Sequence, residues 1–188
     1  TEGAKSWNKR FSQKNLINRG ISGDITEGVI QRLGEIYYYK PLAVFILIGI
    51  NDLFDTEIEN GELIDPDYVA KNISIIARNI IKESEHTLVY IQTILPVDLD
   101  KYEVVKGTRP KHEIDLNAKI RETNSKLKNV ELPQGIQILD LHKEFLDDSN
   151  QLSEVYTTDG VHLNEQGYKV WTNFIRKKVL DINNNYLK

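Results

Sequence analysis

From Leu42 to Ile48 every residue is apolar, between Pro41 and Gly49. An unbroken run of this kind lacks the alternation of a half-buried strand. It predicts a strand buried on both faces, as in a parallel sheet covered by helices. Two further strand-like runs follow, Thr87–Leu95, stopped by Pro96, and Ile136–Leu141. Asn15–Asn18, with Leu16 and Ile17, is a shorter strand candidate ahead of them. Between the runs the apolar positions take helical spacing. Trp7 and Phe11 stand four apart, and Ile25, Val29, Leu33 and Ile36 form a stripe after the turn Gly20–Asp24. Asp24 with Glu27 reads as a box-like cap for that helix. Asp65-Pro66 is a strong helix start, and Val69, Ile73, Ile76 and Ile80 carry the helix to about Lys82.

Residues 97–110 read as a polar loop, and Ile114, Ala118, Arg121 and Leu127 as a weakly amphipathic, charged helix. Residues 147–160 read as irregular. Asn164 then caps a final helix whose inner face carries Tyr168, Trp171, Phe174 and Ile175. Strand and helix alternate, which predicts an α/β domain with a parallel sheet. No internal repeat, low-complexity tract or linker divides it. The 188 residues fit one domain with a full core.

Composition narrows the function. Net charge is −4 and the basic residues are scattered, which disfavours nucleic acid as a partner. No apolar run reaches the ~20 residues of a membrane span, and no signal peptide is visible. These features suit a soluble protein and leave its compartment open, cytoplasmic or secreted. With no cysteine there is no disulfide, thiolate metal site or cysteine nucleophile. There is also no methionine, so the sequence is expected to start inside a longer polypeptide or after a processing cut.

Two short stretches can carry chemistry. Asn51 and Asp52 follow the exit of the central run, where open α/β sheets place ligands outside the carboxyl ends of their strands. A side-chain amide there can donate to a reacting oxygen, although Asn-Asp also suits an ordinary turn. Asp159-Gly-Val-His162 sets a carboxylate and an imidazole three residues apart just before the last helix. A carboxylate in that position can fix the imidazole tautomer and stabilise the imidazolium formed when a serine is deprotonated; a plain turn has the same composition. His86, His112 and His142 have no such partner nearby. Gly23-Asp-Ile-Thr-Glu-Gly28 has the glycine spacing of a phosphate loop. However, Val29 and Ile30 stand where that loop needs Lys and then Ser or Thr, and Asp24 would oppose the phosphate.

Taken in order, Asn18-Arg-Gly-Ile-Ser-Gly23-Asp24, Gly49-Ile-Asn51-Asp52 and Asp159-Gly-Val-His162 each lie at the end of an expected element. This ordered trio resembles the SGNH hydrolases, also called the GDSL esterase/lipase family. The resemblance implies a flavodoxin-like three-layer sandwich and a serine esterase of small acyl, chiefly acetyl, esters, with no metal or organic cofactor. Carbohydrate acetyl esters and the acetyl group of platelet-activating factor are the family-level substrates. It further implies Gly23 N–H and the Asn51 amide as oxyanion donors, His162 as general base and acid, and Asp159 as its orienter. Asp24 fits a cap, and Asp52 a loop-fixing acceptor. The family's nucleophile belongs to a Gly-Asp-Ser block ending a first strand, and members often continue as Ile-Thr-Glu-Gly. This chain opens Thr1-Glu2-Gly3. The block and its strand are therefore expected upstream, making residues 1–188 one N-terminally incomplete domain. Ser6 and Ser22 are poor substitutes, and Phe54, Tyr156 and loop 97–110 suit packing better than a pocket. The other reading is a non-catalytic binding module of the same fold without the nucleophile.

Overall fold

The computed structural model describes residues 7–12, 15–55, 63–110 and 115–186. Its sheet has three parallel strands in the order β1 (Ala43–Ile46), β2 (Leu88–Gln92) and β3 (Ile136–Leu139). The register pairs Ala43 with Leu88 and Val89 with Ile136. α1 (Trp7–Phe11), α2 (Thr26–Gln31) and α3 (Gly34–Tyr39) precede β1. α4 (Ile50–Asp55) and α5 (Pro66–Glu83) link β1 to β2, and α6 (Leu99–Lys106) and α7 (Leu116–Asn129) link β2 to β3. α8 (Glu165–Tyr186) closes the chain.

Strand alternation divides the core between two helical layers. Ile46, Val89, Ile91 and Ile136 pack with α5 and α7, where Val69, Ile73, Ile76, Ile80, Ile120 and Leu127 are buried. On the opposite face Phe45 stacks on Tyr90 with ring centroids 4.8 Å apart. Phe45 and Leu139 there meet Trp171, Ile175 and Val179 of α8, and α1 adds Phe11. Gln92 points to the same face, where its Oε1 accepts the indole N–H of Trp171 at 2.5 Å. Burying the ring of Trp171 thus leaves no orphaned donor. The arrangement is a three-layer α/β/α sandwich, as expected.

Local signals placed two helix starts correctly. Asp65 Oδ1 accepts the Tyr68 N–H at 2.7 Å with Pro66 next, and Asn164 Oδ1 accepts the Gly167 N–H at 3.0 Å. Several expectations are corrected. β1 is only half-buried, with Leu42 at its entry 38 % exposed, because it lies at an edge of the described sheet. The strand flanked on both sides is β2, whose Val89, Tyr90, Ile91 and Gln92 are all buried. Asn15–Asn18 is not a strand: the Leu16 N–H goes to Asn8 Oδ1 at 3.0 Å, a side-chain partner instead of a sheet neighbour. The helix expected from Ile25 to Ile36 is split into α2 and α3 around Arg32 and Leu33. Asp24 does not cap α2 by the box pattern; its Oδ1 accepts the N–H of Ile25 and its Oδ2 pairs with Arg32. α7 buries Leu116, Ile120, Thr123, Asn124 and Leu127, turning Arg121 outward, and Ile114 lies outside the described residues.

Residues 97–110 are the largest correction, since most of them form α6. Asp98 Oδ1 accepts the Lys101 N–H at 2.9 Å, and Gly107 ends the helix. No residue of α6 is buried, so its apolar pattern carried almost no signal. Its place is set by Gly160. The Asp98 N–H donates to the Gly160 carbonyl at 2.8 Å, and a Cβ on Gly160 would stand 2.0 Å from the Asp98 carbonyl oxygen. Gly160 also has φ +86°, which a side chain rarely adopts. Gly160→Ala is therefore expected to cost on the order of 3 kcal/mol, from backbone strain and overpacking together. Thermal melting would read this as a Tm lower by roughly 6–12 °C. An unchanged melting temperature would mean that the turn and α6 do not meet this closely.

Candidate active site

The carboxyl ends of β1, β2 and β3 lead into α4, the Asp98 cap and the residues around His142, respectively. Asp159 and His162 lie in a turn closed by an antiparallel bridge between Thr157 and Leu163. Thr157 Oγ1 accepts the Gly160 N–H at 2.9 Å and donates to the His162 carbonyl at 2.8 Å. The Asp159 carboxylate fills the centre of this turn. Its Oδ1 accepts the backbone N–H groups of Val161 at 3.1 Å and His162 at 2.8 Å. Its Oδ2 faces His162 Nδ1 at 2.8 Å and Lys106 Nζ at 3.1 Å.

Asp159 is 6 % exposed, whereas the His162 side chain is 69 % exposed. Burial pushes the Asp159 pKa upward, but the His162 backbone and ring, Lys106 and the Val161 N–H outweigh it. The carboxyl is held well below the usual carboxylate range. An ionised carboxylate only accepts, so Nδ1 of a neutral His162 must carry the proton and Nε2 the lone pair. That lone pair sits on an exposed ring, as a general base requires.

The low Asp159 pKa has a consequence for stability. A carboxyl more acidic in the folded state stabilises the fold fully above its unfolded pKa of ~3.9, and that share is lost as pH falls toward the folded value. Asp159→Asn lacks it. The Tm advantage of the unmodified chain over Asp159→Asn should shrink progressively as pH falls below ~3.9 and Asp159 is protonated. An advantage that grew as pH fell below ~3.9 would contradict the charge assigned to Asp159.

The second expected pair lies at the start of α2 and α4. Gly23 sits in an exposed turn at φ +74°, with nothing within 4 Å of a Cβ built on it. Asn51 Nδ2 donates to the Asp24 carbonyl at 2.8 Å, which ties α4 to the residue after Gly23. Asp52 beside it is 1 % exposed and accepts both the N–H (3.1 Å) and the hydroxyl (2.5 Å) of Thr26. Asn72 of α5 donates to that hydroxyl at 3.0 Å. Burial raises the Asp52 pKa, partly offset by the Thr26 bonds. Asp52 therefore fixes the loop, as the sequence suggested. α6 and its cap touch the elements of both pairs: Tyr102 meets Phe54 of α4 at 5.1 Å between ring centroids, and the Asp98 N–H donates to the Gly160 carbonyl.

The remaining candidates separate cleanly. Ser22 is exposed in the Gly23 turn, and Ser6 and His112 lie outside the described residues. His86 is exposed; His142 is buried with Nδ1 2.8 Å from the Ile94 carbonyl, and burial lowers its pKa. Among the described residues no group of three or more His, Asp or Glu could hold a metal ion. No described helix is long and apolar enough to cross a membrane. Two surface concavities, one lined by Lys71, Arg78 and Lys126 and one by Leu99, Arg109 and Gln151, do not include either pair. Sequence reasoning missed Thr157 and Lys106. The bracket of Asp98 and Gly107 was the available signal for the helix carrying Lys106.

Residues 1–170 match the GDSL-like lipase/acylhydrolase family. The chain belongs to that family. The platelet-activating factor acetylhydrolase IB subunit alpha2 of Rattus norvegicus is 28 % identical over 166 residues, covering 86 % of this chain and 63 % of that protein. The Homo sapiens protein of the same name gives the same values. The GDSL chain thus spans less than two thirds of the length of these curated relatives. Among solved structures, a GDSL-like lipase from Bacteroides thetaiotaomicron has a TM-score of 0.74 at 23 % identity, covering 92 % of this chain and 79 % of its own. An acetyl xylan esterase has a TM-score of 0.67 at 20 % identity, covering 89 % and 82 %. These likenesses bear out the flavodoxin-like α/β fold of the GDSL chain.

Proposed function

We propose that this chain supplies the base and the oxyanion donors of a serine esterase acting on small acyl esters, acetyl esters first. The observation carrying this reading is the 2.8 Å contact between buried Asp159 and exposed His162, which leaves Nε2 as the proton acceptor. A serine hydroxyl attacks the ester carbonyl and its proton passes to His162 Nε2. The oxyanion forms beside the Gly23 N–H and the Asn51 amide. The bond to the alcohol then breaks, and His162 returns the proton to the leaving oxygen. Water repeats the sequence on the acyl-serine, releasing the carboxylic acid and restoring the hydroxyl. Ser22 is not assigned as the nucleophile. Platelet-activating factor acetylhydrolase and acetyl xylan esterase, by their names, act on acetyl groups, which supports acetyl esters as the first substrates to test.

The test is hydrolysis of p-nitrophenyl acetate and longer acyl esters by the natural polypeptide containing residues 1–188. Turnover that falls with acyl length supports the reading. No turnover of any ester by the folded protein would favour a binding module instead.

A further inference from the structure

Lys106 reaches the candidate pair from a helix that follows a different strand. Its Nζ lies 3.1 Å from Asp159 Oδ2, the same oxygen that faces His162 Nδ1 at 2.8 Å. Oδ1 is already occupied by two backbone N–H groups, so the carboxylate has a partner in each of its four accepting directions. The ammonium and the imidazole thus share one atom, and their nitrogens are less than about 6 Å apart, the combined length of the two contacts. In a Ser-His-Asp arrangement the carboxylate stabilises the imidazolium with its full charge. Here a second cation draws on that charge.

We propose that Lys106 is a positioning residue of this pair, which divides Asp159 Oδ2 with His162 and so keeps the imidazole ready to accept a proton at lower pH than Asp159 alone would allow. The proposal rests on the reading of His162 as the base. Among the described residues Lys106 is the lysine or arginine paired with this carboxylate. Lys101 of α6 donates to the Glu154 and Thr157 carbonyls and pairs with Glu154 at 3.6 Å. Asp98 caps α6. Glu165, at the start of α8, is held by Arg10 at 2.6 Å. On α4, Asp52 is bound to Thr26. Gly160 makes the arrangement possible by letting α6 lie directly on the turn.

The experiment is an NMR titration of His162 in the natural polypeptide containing residues 1–188, followed through the imidazole carbon and nitrogen signals. Removing the positive charge with Lys106→Met or Lys106→Gln should move the His162 midpoint up by about 0.5–1 pH unit. Lys106→Arg, which keeps the charge, should restore it most of the way. Asp159→Asn should move it down. A merely structural role for Lys106 would lower the melting temperature without this signed shift. If the neutral variants do not fold, the unmodified chain still decides. The Lys106 side-chain carbon beside Nζ should change shift at the His162 midpoint, and a signal flat through that midpoint would overturn the proposal. So would an unmoved midpoint in a folded Lys106→Met chain. Ester turnover by the natural polypeptide separates this from the underlying reading. If both hold, the acid limb of kcat/KM moves up with the NMR midpoint. A moved midpoint with an unmoved acid limb would overturn His162 as the base, and with it any catalytic part for Lys106.

Discussion

His162→Ala in the natural polypeptide is expected to abolish ester turnover, lowering kcat by a factor on the order of 10⁴ or more. Loss of the base leaves the serine hydroxyl without a proton acceptor, and the oxyanion donors and substrate binding then supply only a residual acceleration of ~10³–10⁴ over water. Because the His162 side chain is 69 % exposed, its removal leaves no core cavity, and the melting temperature should change little. The loss can therefore be read as chemistry. The control is His86→Ala, at a histidine whose side chain is 91 % exposed and whose nearest ionic partner is Glu85 at 3.9 Å. That variant should hydrolyse p-nitrophenyl acetate normally. Equal losses at His86 and His162, or normal turnover by a folded His162→Ala protein, would remove His162 from the mechanism.

Asn51→Ala should lower kcat by roughly 10²–10³ with KM little changed, the penalty for one missing oxyanion donor. The donor acts on charge that develops only in the transition state, which is why binding of the ground-state ester is spared. The geometry adds a second expectation. Asn51 Nδ2 also holds the Asp24 carbonyl at 2.8 Å, next to Gly23, so truncation releases the turn that presents the other proposed donor. Asp52, Thr26 and Asn72 remain to anchor that region, and the chain should still fold. Asn51→Asp keeps the size but replaces the amide donor with an acceptor, and should be at least as damaging as Asn51→Ala. A folded Asn51→Ala protein retaining near-normal kcat would sink the assignment.

Much of this was decided locally and was legible in the sequence. Asp65-Pro66 and Asn164 start their helices because a cap needs only its own side chain and an N–H about three residues on. The Asp159–His162 contact is of the same kind: the turn from Thr157 to Leu163 closes on itself, so residue spacing sufficed to propose it. The run Thr87–Leu95 read as a strand from its apolar content and the proline that stops it, and β2 forms within it. Family motifs added the order of these pieces. What the sequence left undetermined depended on partners distant along the chain. The same kind of apolar run is half-buried in β1 and fully buried in β2, because burial follows from sheet position and neighbours. Asn15–Asn18 has strand-like composition, yet a strand exists only when another offers it hydrogen bonds. α6 buries none of its residues, so no hydrophobic period marked it; its place comes from Gly160, some sixty positions further on. Lys106 reaches Asp159 across a comparable separation, and a long flexible side chain advertises no partner in its own neighbourhood. The sequence by itself determined the caps at Asp65 and Asn164 and the Asp159–His162 turn, since each is closed by contacts within a few residues, and its alternation of strand and helix determined the α/β class. Only the tertiary structure decided which strand lies at the centre and which cation shares the Asp159 carboxylate, because those contacts join segments brought together by packing.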